Sequence, residues 1–270
     1  MRNHSSRRRV ALALSVSLSL LATPFLRAED KAPASGKPVA ATPAPKSSPK
    51  DPKVEQNFVK RHEGFLKDKE EALKNGPVQV VFLGDSITDG WRKKEKDGSD
   101  SAQLKIFKER WGTRYNALNL GIGGDRTEHV LWRLDQGEVD GLKPKAVMLM
   151  IGTNNLGNKQ SPEDTIVGVT AVVNELREKL PDSKILLLAV FPRGNKADDP
   201  FRAQIKQVNE AIAKLDDGGK HIKYLDIGEK FLAPDGELTK DIMPDFLHPN
   251  AKGYQIWADA VEPSLDEMLK

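Results

Sequence analysis

The sequence predicts an α/β fold, in which a three-layer α/β/α domain is built around a five-stranded parallel sheet. Between residues 53 and 270, five short apolar segments alternate with segments long enough to form helices. Strands that are apolar along their whole length are buried on both faces, which is typical of a parallel sheet covered by helices. Right-handed crossovers follow from this alternation, whereas the order of the strands stays open.

The elements can be placed in chain order. Apolar residues recur at nearly helical spacing from Val54 to Ala72, which predicts a leading helix. Ser161-Pro162 supplies an N-cap and an N1 proline for a later helix, and Asp125-Arg126-Thr127-Glu128 resembles a capping box. The predicted strands are Val78–Leu83, Tyr115–Leu120, Ala146–Ile151, Ile185–Val190 and His221–Ile227.

The first 28 residues have the pattern of a signal peptide. Five arginines and no acid precede or flank an apolar run from Val10 to Leu21, and small residues end near Ala28. The run is too short to span a membrane. Without these five charges the net charge of +3 becomes −2, so the arginines indicate targeting rather than nucleic-acid binding. We expect an exported protein, periplasmic or extracellular, and the pattern favours a general signal over a twin-arginine one.

Composition divides the rest of the chain in two. Residues 29–52 consist largely of Ala, Pro, Lys and Ser, which predicts a disordered linker because such a segment buries little apolar surface. Residues 53–270 contain no obvious repeat and are long enough for one catalytic domain. The chain has no cysteine, which excludes a thiolate nucleophile, a disulfide and a zinc ribbon. Any nucleophile must be Ser, Thr, Lys or a carboxylate.

Polar residues follow the predicted strands where a parallel sheet places its ligand crevice. The four segments are Gly84-Asp85-Ser86-Ile87-Thr88, Asn119 to Gly124, Gly152-Thr153-Asn154-Asn155 and Asp245-Phe246-Leu247-His248. The Gly121-Ile122-Gly123-Gly124 run does not meet the dinucleotide pattern, and no phosphate loop occurs, so no nucleotide cofactor is expected.

Ser86 is the candidate nucleophile, and it needs a base to take its proton. The sequence has five histidines, of which four lie in the signal, in predicted helices or at the start of a strand. His248 remains, and Asp245 lies three residues before it, where a carboxylate can orient the imidazole. Two other interpretations are open: Gly-Asp-Ser as a simple helix-starting turn, and Asp245 with His248 as a metal pair.

The same segments offer donors for an oxyanion. Gly124 can supply an exposed amide and Asn154 a carboxamide. Asp85 is expected to be a structural acceptor, and Asn119, Thr153 and Asn155 are expected to brace loops.

The four segments, in this order and spacing, resemble the blocks of the SGNH (GDSL-type) hydrolases, and more narrowly the catalytic subunits of platelet-activating-factor acetylhydrolase. The resemblance runs from about Val78 to the C-terminus and includes His129-Val130-Leu131-Trp132-Arg133-Leu134 and Phe191-Pro192-Arg193-Gly194. It implies a flavodoxin-like sheet and an oxyanion hole made by the Ser86 N–H, the Gly124 N–H and the Asn154 side chain. It also implies a serine hydrolase that needs neither metal nor organic cofactor.

The predicted function is hydrolysis of short-chain, acetyl-type esters of a carbohydrate or lipid through Ser86, His248 and Asp245 and an acyl-enzyme. The partner is a small ester, with no nucleic acid and no membrane span. The segment Phe191-Pro192-Arg193-Gly194 is expected to border the pocket, and Trp91 and Arg126 either line it or pack or pair structurally. Two alternatives belong to other classes: a non-catalytic glycan-binding domain on the same scaffold, and a metal-dependent phosphoesterase.

Overall fold

The computed structural model describes Met1 and residues 38–270, and residues 38–270 lie in one compact unit. The predicted signal peptide, apart from Met1, and the first part of the predicted linker lie outside the described residues. Five parallel strands form one sheet in the order β2-β1-β3-β4-β5. The strands are β1 (Val80–Gly84), β2 (Leu118–Gly121), β3 (Ala146–Met150), β4 (Lys184–Leu188) and β5 (Ile222–Leu225). The α/β prediction is therefore confirmed.

Nine α-helices are described between residues 38 and 270, with short 3-10 and π turns between some of them. They are α1 (Lys53–Lys74), α2 (Ser86–Asp89), α3 (Ala102–Phe107), α4 (Thr113–Tyr115), α5 (Thr127–Asp135), α6 (Thr153–Gly157), α7 (Pro162–Lys179), α8 (Pro200–Ile212) and α9 (Ala251–Met268). No helix in this part of the chain is both long enough and apolar enough to cross a bilayer.

The sheet is covered on both faces. Alternate strand residues point to opposite sides, so that Val81 packs into one core with Phe65 of α1, whereas Phe82 packs into the other with Trp257 of α9. Helices α5, α7 and α8 contribute to the first core and the segment around α3 to the second. These two cores on either side of one sheet make the three predicted layers.

The strand boundaries differ from the predicted ones by a few residues. The largest difference is at β2, which begins at Leu118 because Tyr115 ends a helix and Asn116 adopts a left-handed conformation (φ 47°) before the chain extends. The predicted capping of α7 is confirmed: Ser161 accepts a hydrogen bond from the Asp164 N–H, and Pro162 is the first helical residue.

The predicted capping box at α5 differs in its partners. Arg126 is the N-cap residue, and its N–H donates to Nδ1 of His129 at 3.1 Å. Asp125 is not a cap, because its carboxylate is buried and pairs with Arg133 at 3.0 Å. The imidazole of His129, the third residue of the helix, therefore takes the place that the sequence pattern assigned to the carboxylate of Glu128.

Residues 38–46 also differ from the prediction of a disordered linker. Val39–Ala41 form a 3-10 turn in which Ala40 is fully buried. Thr127 Oγ1 donates to the Ala40 carbonyl at 2.7 Å, and the Ala44 N–H donates to the Glu128 carbonyl at 3.1 Å. Small side chains and backbone hydrogen bonds let this segment pack without large apolar side chains. Ordered structure therefore begins at least 15 residues before the predicted boundary at residue 53.

Candidate active site

Strand register brings three of the predicted segments to one edge of the sheet. Gly84, the last residue of β1, pairs with Gly121 at the end of β2 and with Met150 at the end of β3. The turns that carry Ser86, Gly124 and Asn154 therefore start at the same level of three adjacent strands. In a sheet of this order the crevice outside the carboxyl ends is the place for a ligand.

Ser86, His248 and Asp245 form a continuous chain of contacts. Ser86 Oγ lies 2.8 Å from Nε2 of His248, and Nδ1 of the same ring lies 2.7 Å from Oδ2 of Asp245. An ionised carboxylate can only accept, so Nδ1 carries the ring hydrogen and Nε2 is free to accept from the serine hydroxyl. This arrangement can take a proton from Ser86.

Asp245 is held by more than the imidazole. Its Oδ1 accepts the backbone N–H of His248 at 2.8 Å and that of Leu247 at 3.1 Å. Partial burial acts to raise the pKa of Asp245, but these hydrogen bonds and the nearby imidazole outweigh it, so the pKa lies below its ordinary value of 3.8. The carboxylate is therefore charged throughout the neutral range.

The other described histidines are engaged elsewhere. His129 accepts a backbone hydrogen bond, and burial, together with nearby cations such as Arg126, lowers its pKa to about 3. His62 is buried with Nδ1 3.5 Å from Glu138, and His221 pairs with Asp217 at 3.3 Å. Among residues 38–270, His248 is therefore the histidine that contacts Ser86.

The predicted oxyanion donors lie around one turn. Gly124 has φ +74°, a conformation that favours glycine, and a Cβ on the preceding Gly123 would lie 3.9 Å from the Cβ of Ser86. Asn154 is partly buried, and its Nδ2 donates to the Asp125 carbonyl at 2.9 Å. A carboxamide nitrogen carries two hydrogens, so the second can serve a ligand.

The residues expected to be structural make bracing contacts. Asp85 is buried and accepts the Ile87 N–H at 2.9 Å, and Asn119 links its own strand to the Thr88 carbonyl at 2.8 Å. The Asn155 side chain accepts from the Thr127 N–H at 3.1 Å and donates to Gln160 at 2.6 Å. These hydrogen bonds tie the turns of the site to one another.

A shallow cleft of about 310 Å³ lies beside Asp245. Its wall includes Arg193, which donates to the Thr153 carbonyl at 3.1 Å and stacks 4.1 Å above the Phe201 ring. The expected pocket position of Arg193 is thus consistent with the geometry. Trp91 does not line the site: it is fully buried among aromatic residues of the second core, and the apolar ring explains why. Arg126 forms an ion pair with Glu128.

One residue near the turn was not anticipated. Nζ of Lys46, from the segment before α1, donates to the Gly123 carbonyl at 2.5 Å. A lysine in an Ala- and Pro-rich stretch gives no sequence signal for such a contact. Among the described residues, no three His, Asp or Glu side chains are grouped so that they could hold a metal ion.

Comparisons with known proteins agree with this architecture. A family model described as the GDSL-like lipase/acylhydrolase family matches residues 82–256. The platelet-activating factor acetylhydrolase IB subunit alpha1 of Homo sapiens is 33% identical over 213 residues, which cover 78% of this chain and 84% of the human subunit.

Two solved structures share the fold. An acetyl xylan esterase gives a TM-score of 0.57 at 23% identity over 70% of this chain and 100% of that chain. A GDSL-like lipase from Bacteroides thetaiotaomicron gives 0.56 at 20% identity over 76% of this chain and 98% of that chain.

Proposed function

The chain belongs to the GDSL-like lipase/acylhydrolase family and is a hydrolase of small esters, and within that class we propose that Ser86, His248 and Asp245 are its catalytic triad. The observation that carries the proposal is the unbroken chain from Ser86 Oγ through the His248 ring to Asp245, with contacts of 2.8 Å and 2.7 Å. A serine hydroxyl is a weak nucleophile without such a base.

The proposed reaction has two steps. Ser86 Oγ attacks the ester carbonyl while His248 Nε2 takes its proton, and collapse of the tetrahedral intermediate breaks the bond to the alcohol, which leaves with that proton. Water then gives a proton to His248 and attacks the acyl carbonyl. Collapse of this second intermediate breaks the bond between the acyl carbon and Ser86 Oγ, which takes the proton back from His248 as the carboxylic acid leaves. The charged Asp245 stabilises the imidazolium that exists in both steps.

The oxyanion of each intermediate is proposed to bind the Ser86 N–H, the Gly124 N–H and the Asn154 side chain. The support is their common position at the ends of β1, β2 and β3, with Ser86 close to Gly123 and Asn154 bonded to the next turn residue, Asp125. Donors held in place before reaction cost no reorganisation when charge develops.

For the substrate we propose a short acyl ester, of acetyl type, on a carbohydrate or related polar alcohol. The cleft beside Asp245 is shallow, and its walls combine polar with apolar side chains, namely Arg193, Asn195 and Asp199 with Phe201, Phe246 and Leu247. A long acyl chain would need a deeper apolar channel to bury its methylenes. The acetyl xylan esterase that shares the fold acts on such an ester, and a phospholipid acetyl ester is the alternative suggested by the human relative.

A hydrolysis screen tests the proposal. The purified protein is assayed on p-nitrophenyl esters of two to twelve carbons, on acetylated xylan and on an acetyl phospholipid, with Ser86→Ala as the matched control. A fluorophosphonate probe should label the wild type and not the variant. A folded protein that binds glycan but is neither labelled nor active would instead support the non-catalytic alternative. Activity on phosphate esters that a chelator abolishes would support the phosphoesterase.

A further inference from the structure

The segment of residues 38–46, which we call the N-terminal strap, ends at the candidate oxyanion turn. Ala40 is fully buried against α7, and its carbonyl accepts from Thr127 Oγ1 at 2.7 Å. The Ala44 N–H donates to the Glu128 carbonyl at 3.1 Å. These contacts anchor the strap to the first two residues of α5, so the lysine two residues after Ala44 has a fixed starting point.

Lys46 reaches the turn that carries Gly124. Its Nζ donates to the Gly123 carbonyl at 2.5 Å, and a Cβ on Gly124 would lie 2.7 Å from the same Nζ. The carbonyl of Gly123 and the N–H of Gly124 belong to one planar trans peptide, so they point in opposite directions. A donor fixed on the oxygen therefore fixes the direction of the N–H.

The contact also acts on the electronic character of that peptide. A hydrogen bond to a carbonyl oxygen polarises the peptide and strengthens its N–H as a donor. Burial lowers the pKa of Lys46 below its ordinary value, and the guanidinium groups of Arg126 and Arg133 act in the same direction. The carboxylates of Asp125 and Asp85 oppose this shift only in part. Among the described residues, the Gly124 N–H has no hydrogen-bond acceptor of its own, which leaves it available to a ligand.

We propose that Lys46 is a positioning residue for the oxyanion hole: it holds the Gly123–Gly124 peptide so that the Gly124 N–H meets the tetrahedral intermediate. The inference rests on the proposed function, since it needs Gly124 to be an oxyanion donor. It gives the N-terminal strap a part in catalysis although none of its residues touches the substrate.

The test compares Lys46→Met with Lys46→Arg in the full-length protein on p-nitrophenyl acetate, a neutral ester. Methionine keeps the length of the side chain without the donor, so kcat should fall about tenfold, less than the ~10²- to 10³-fold expected when an oxyanion donor itself is removed. KM should stay within about twofold, because the ground-state ester does not use the hole fully. Lys46→Arg should restore most of kcat. Lys50→Met removes an exposed lysine four residues after Lys46 in the sequence and is the matched control.

A tetrahedral mimic separates positioning from other roles. Phenylboronic acid forms an adduct with an active serine, so its inhibition constant should rise by the same factor by which kcat falls in Lys46→Met. A change in KM alone, or a lower kcat with unchanged boronate inhibition, would overturn the inference. If Ser86→Ala abolishes activity while Lys46→Met behaves like the wild type, this inference fails and the proposed function stands. If the wild type hydrolyses no ester, the proposed function itself fails.

A second variant reaches Lys46 from a distance. A methyl group at Gly168 of α7 would clash with Thr127 Oγ1 and lie 2.7 Å from the Ala40 carbonyl, so Gly168→Ala disturbs the contact between Thr127 and the strap. We expect a lower kcat with little change in KM, and no further loss when it is combined with Lys46→Met. Gly64→Ala is the control, since its methyl group would meet nothing within 4 Å. Fully additive losses in the double variant would contradict the route through Lys46.

Discussion

Ser86 Oγ and His248 Nε2 lie 2.8 Å apart although 162 positions separate the two residues in the chain. The serine opens the short helix after β1, an interior strand of the sheet, and the histidine lies in the turn before α9. Helix α9 packs on the second core through Trp257 and Val261, so the histidine turn is fixed to the sheet by apolar contacts rather than by the active site itself. Because the residues that hold α9 in place are not those of the site, single substitutions at Ser86 or His248 can be made without disturbing the packing of that helix.

Ser86→Ala and His248→Ala should each abolish ester hydrolysis while the fold is retained. The serine hydroxyl and the imidazole are partly exposed, so neither change opens a core cavity. Steady-state kinetics with circular dichroism checks both expectations. His221→Ala, at a partly exposed histidine paired with Asp217, is the control and should keep wild-type rates. Substantial activity in His248→Ala together with inactive His221→Ala would mean that the base has been misassigned.

Asn154→Ala should lower kcat by ~10²- to 10³-fold, because one oxyanion donor is lost. The side chain also donates to the Asp125 carbonyl at 2.9 Å, so the melting temperature has to be followed in parallel. The exposed Asn158, four residues along the chain, provides the control variant Asn158→Ala. A rate close to that of the wild type would remove Asn154 from the oxyanion hole.

The sequence predicted the five strands and their approximate positions because buried parallel strands are apolar along their whole length. It could not predict the order β2-β1-β3-β4-β5, since order depends on packing between helices and sheet. Ser86, Asp245 and His248 could be selected because few residue types can perform the chemistry, and His248 was the histidine left outside the signal and the predicted helices and strands.

Other features depended on contacts that no local pattern encodes. The N-terminal strap binds through the Ala40 carbonyl, the Ala44 N–H and a single lysine, so its composition resembled that of a disordered linker. Trp91 lies only five residues after Ser86 in the sequence, but its side chain points into the core, where its ring centroid is 5.1 Å from that of Trp257. At α5, His129 rather than Glu128 is the partner of the N-cap N–H because the helix begins one residue later than the pattern suggested, with Arg126 as its N-cap.

Asp245→Asn should lower kcat and move the pH profile to lower pH. In the wild type, kcat/KM should be lower in acid than at neutral pH, because only a neutral His248 ring can accept the proton of Ser86. The charged carboxylate, whose own pKa lies below 3.8, stabilises the imidazolium, and the amide removes that charge while keeping the shape. A pH–rate series on p-nitrophenyl acetate measures the shift. An unchanged profile with reduced stability would give Asp245 a purely structural role.

We expect the mature chain to begin near Glu29 after export. This prediction rests on the basic, apolar and small-residue pattern of the first 28 residues. N-terminal sequencing of protein recovered from the periplasm or medium of the producing cells checks it. An active protein that retains Met1 and stays in the cytoplasm would argue against a cleaved signal.

Asp85→Asn should make the stability of the domain less dependent on pH. Burial raises the pKa of Asp85 to about 6, and its Oδ2 has no hydrogen-bond partner among the described residues. Because the folded state holds this proton more tightly than the unfolded chain, the carboxyl contributes stability below about pH 4, and that contribution is lost as pH rises to about 6. A difference of this size corresponds to about 3 kcal/mol at most.

The asparagine at this position can still accept the Ile87 N–H, and it carries no charge to desolvate. The free energy of unfolding of Asp85→Asn, relative to that of the wild type, should therefore increase between pH 4 and pH 7 and then level off. Urea unfolding at several pH values measures this difference, and Asp97→Asn, at a fully exposed carboxylate, is the control that should show no such gain. If the difference between Asp85→Asn and the wild type is the same at pH 4 and pH 7, the buried carboxyl does not titrate in this range.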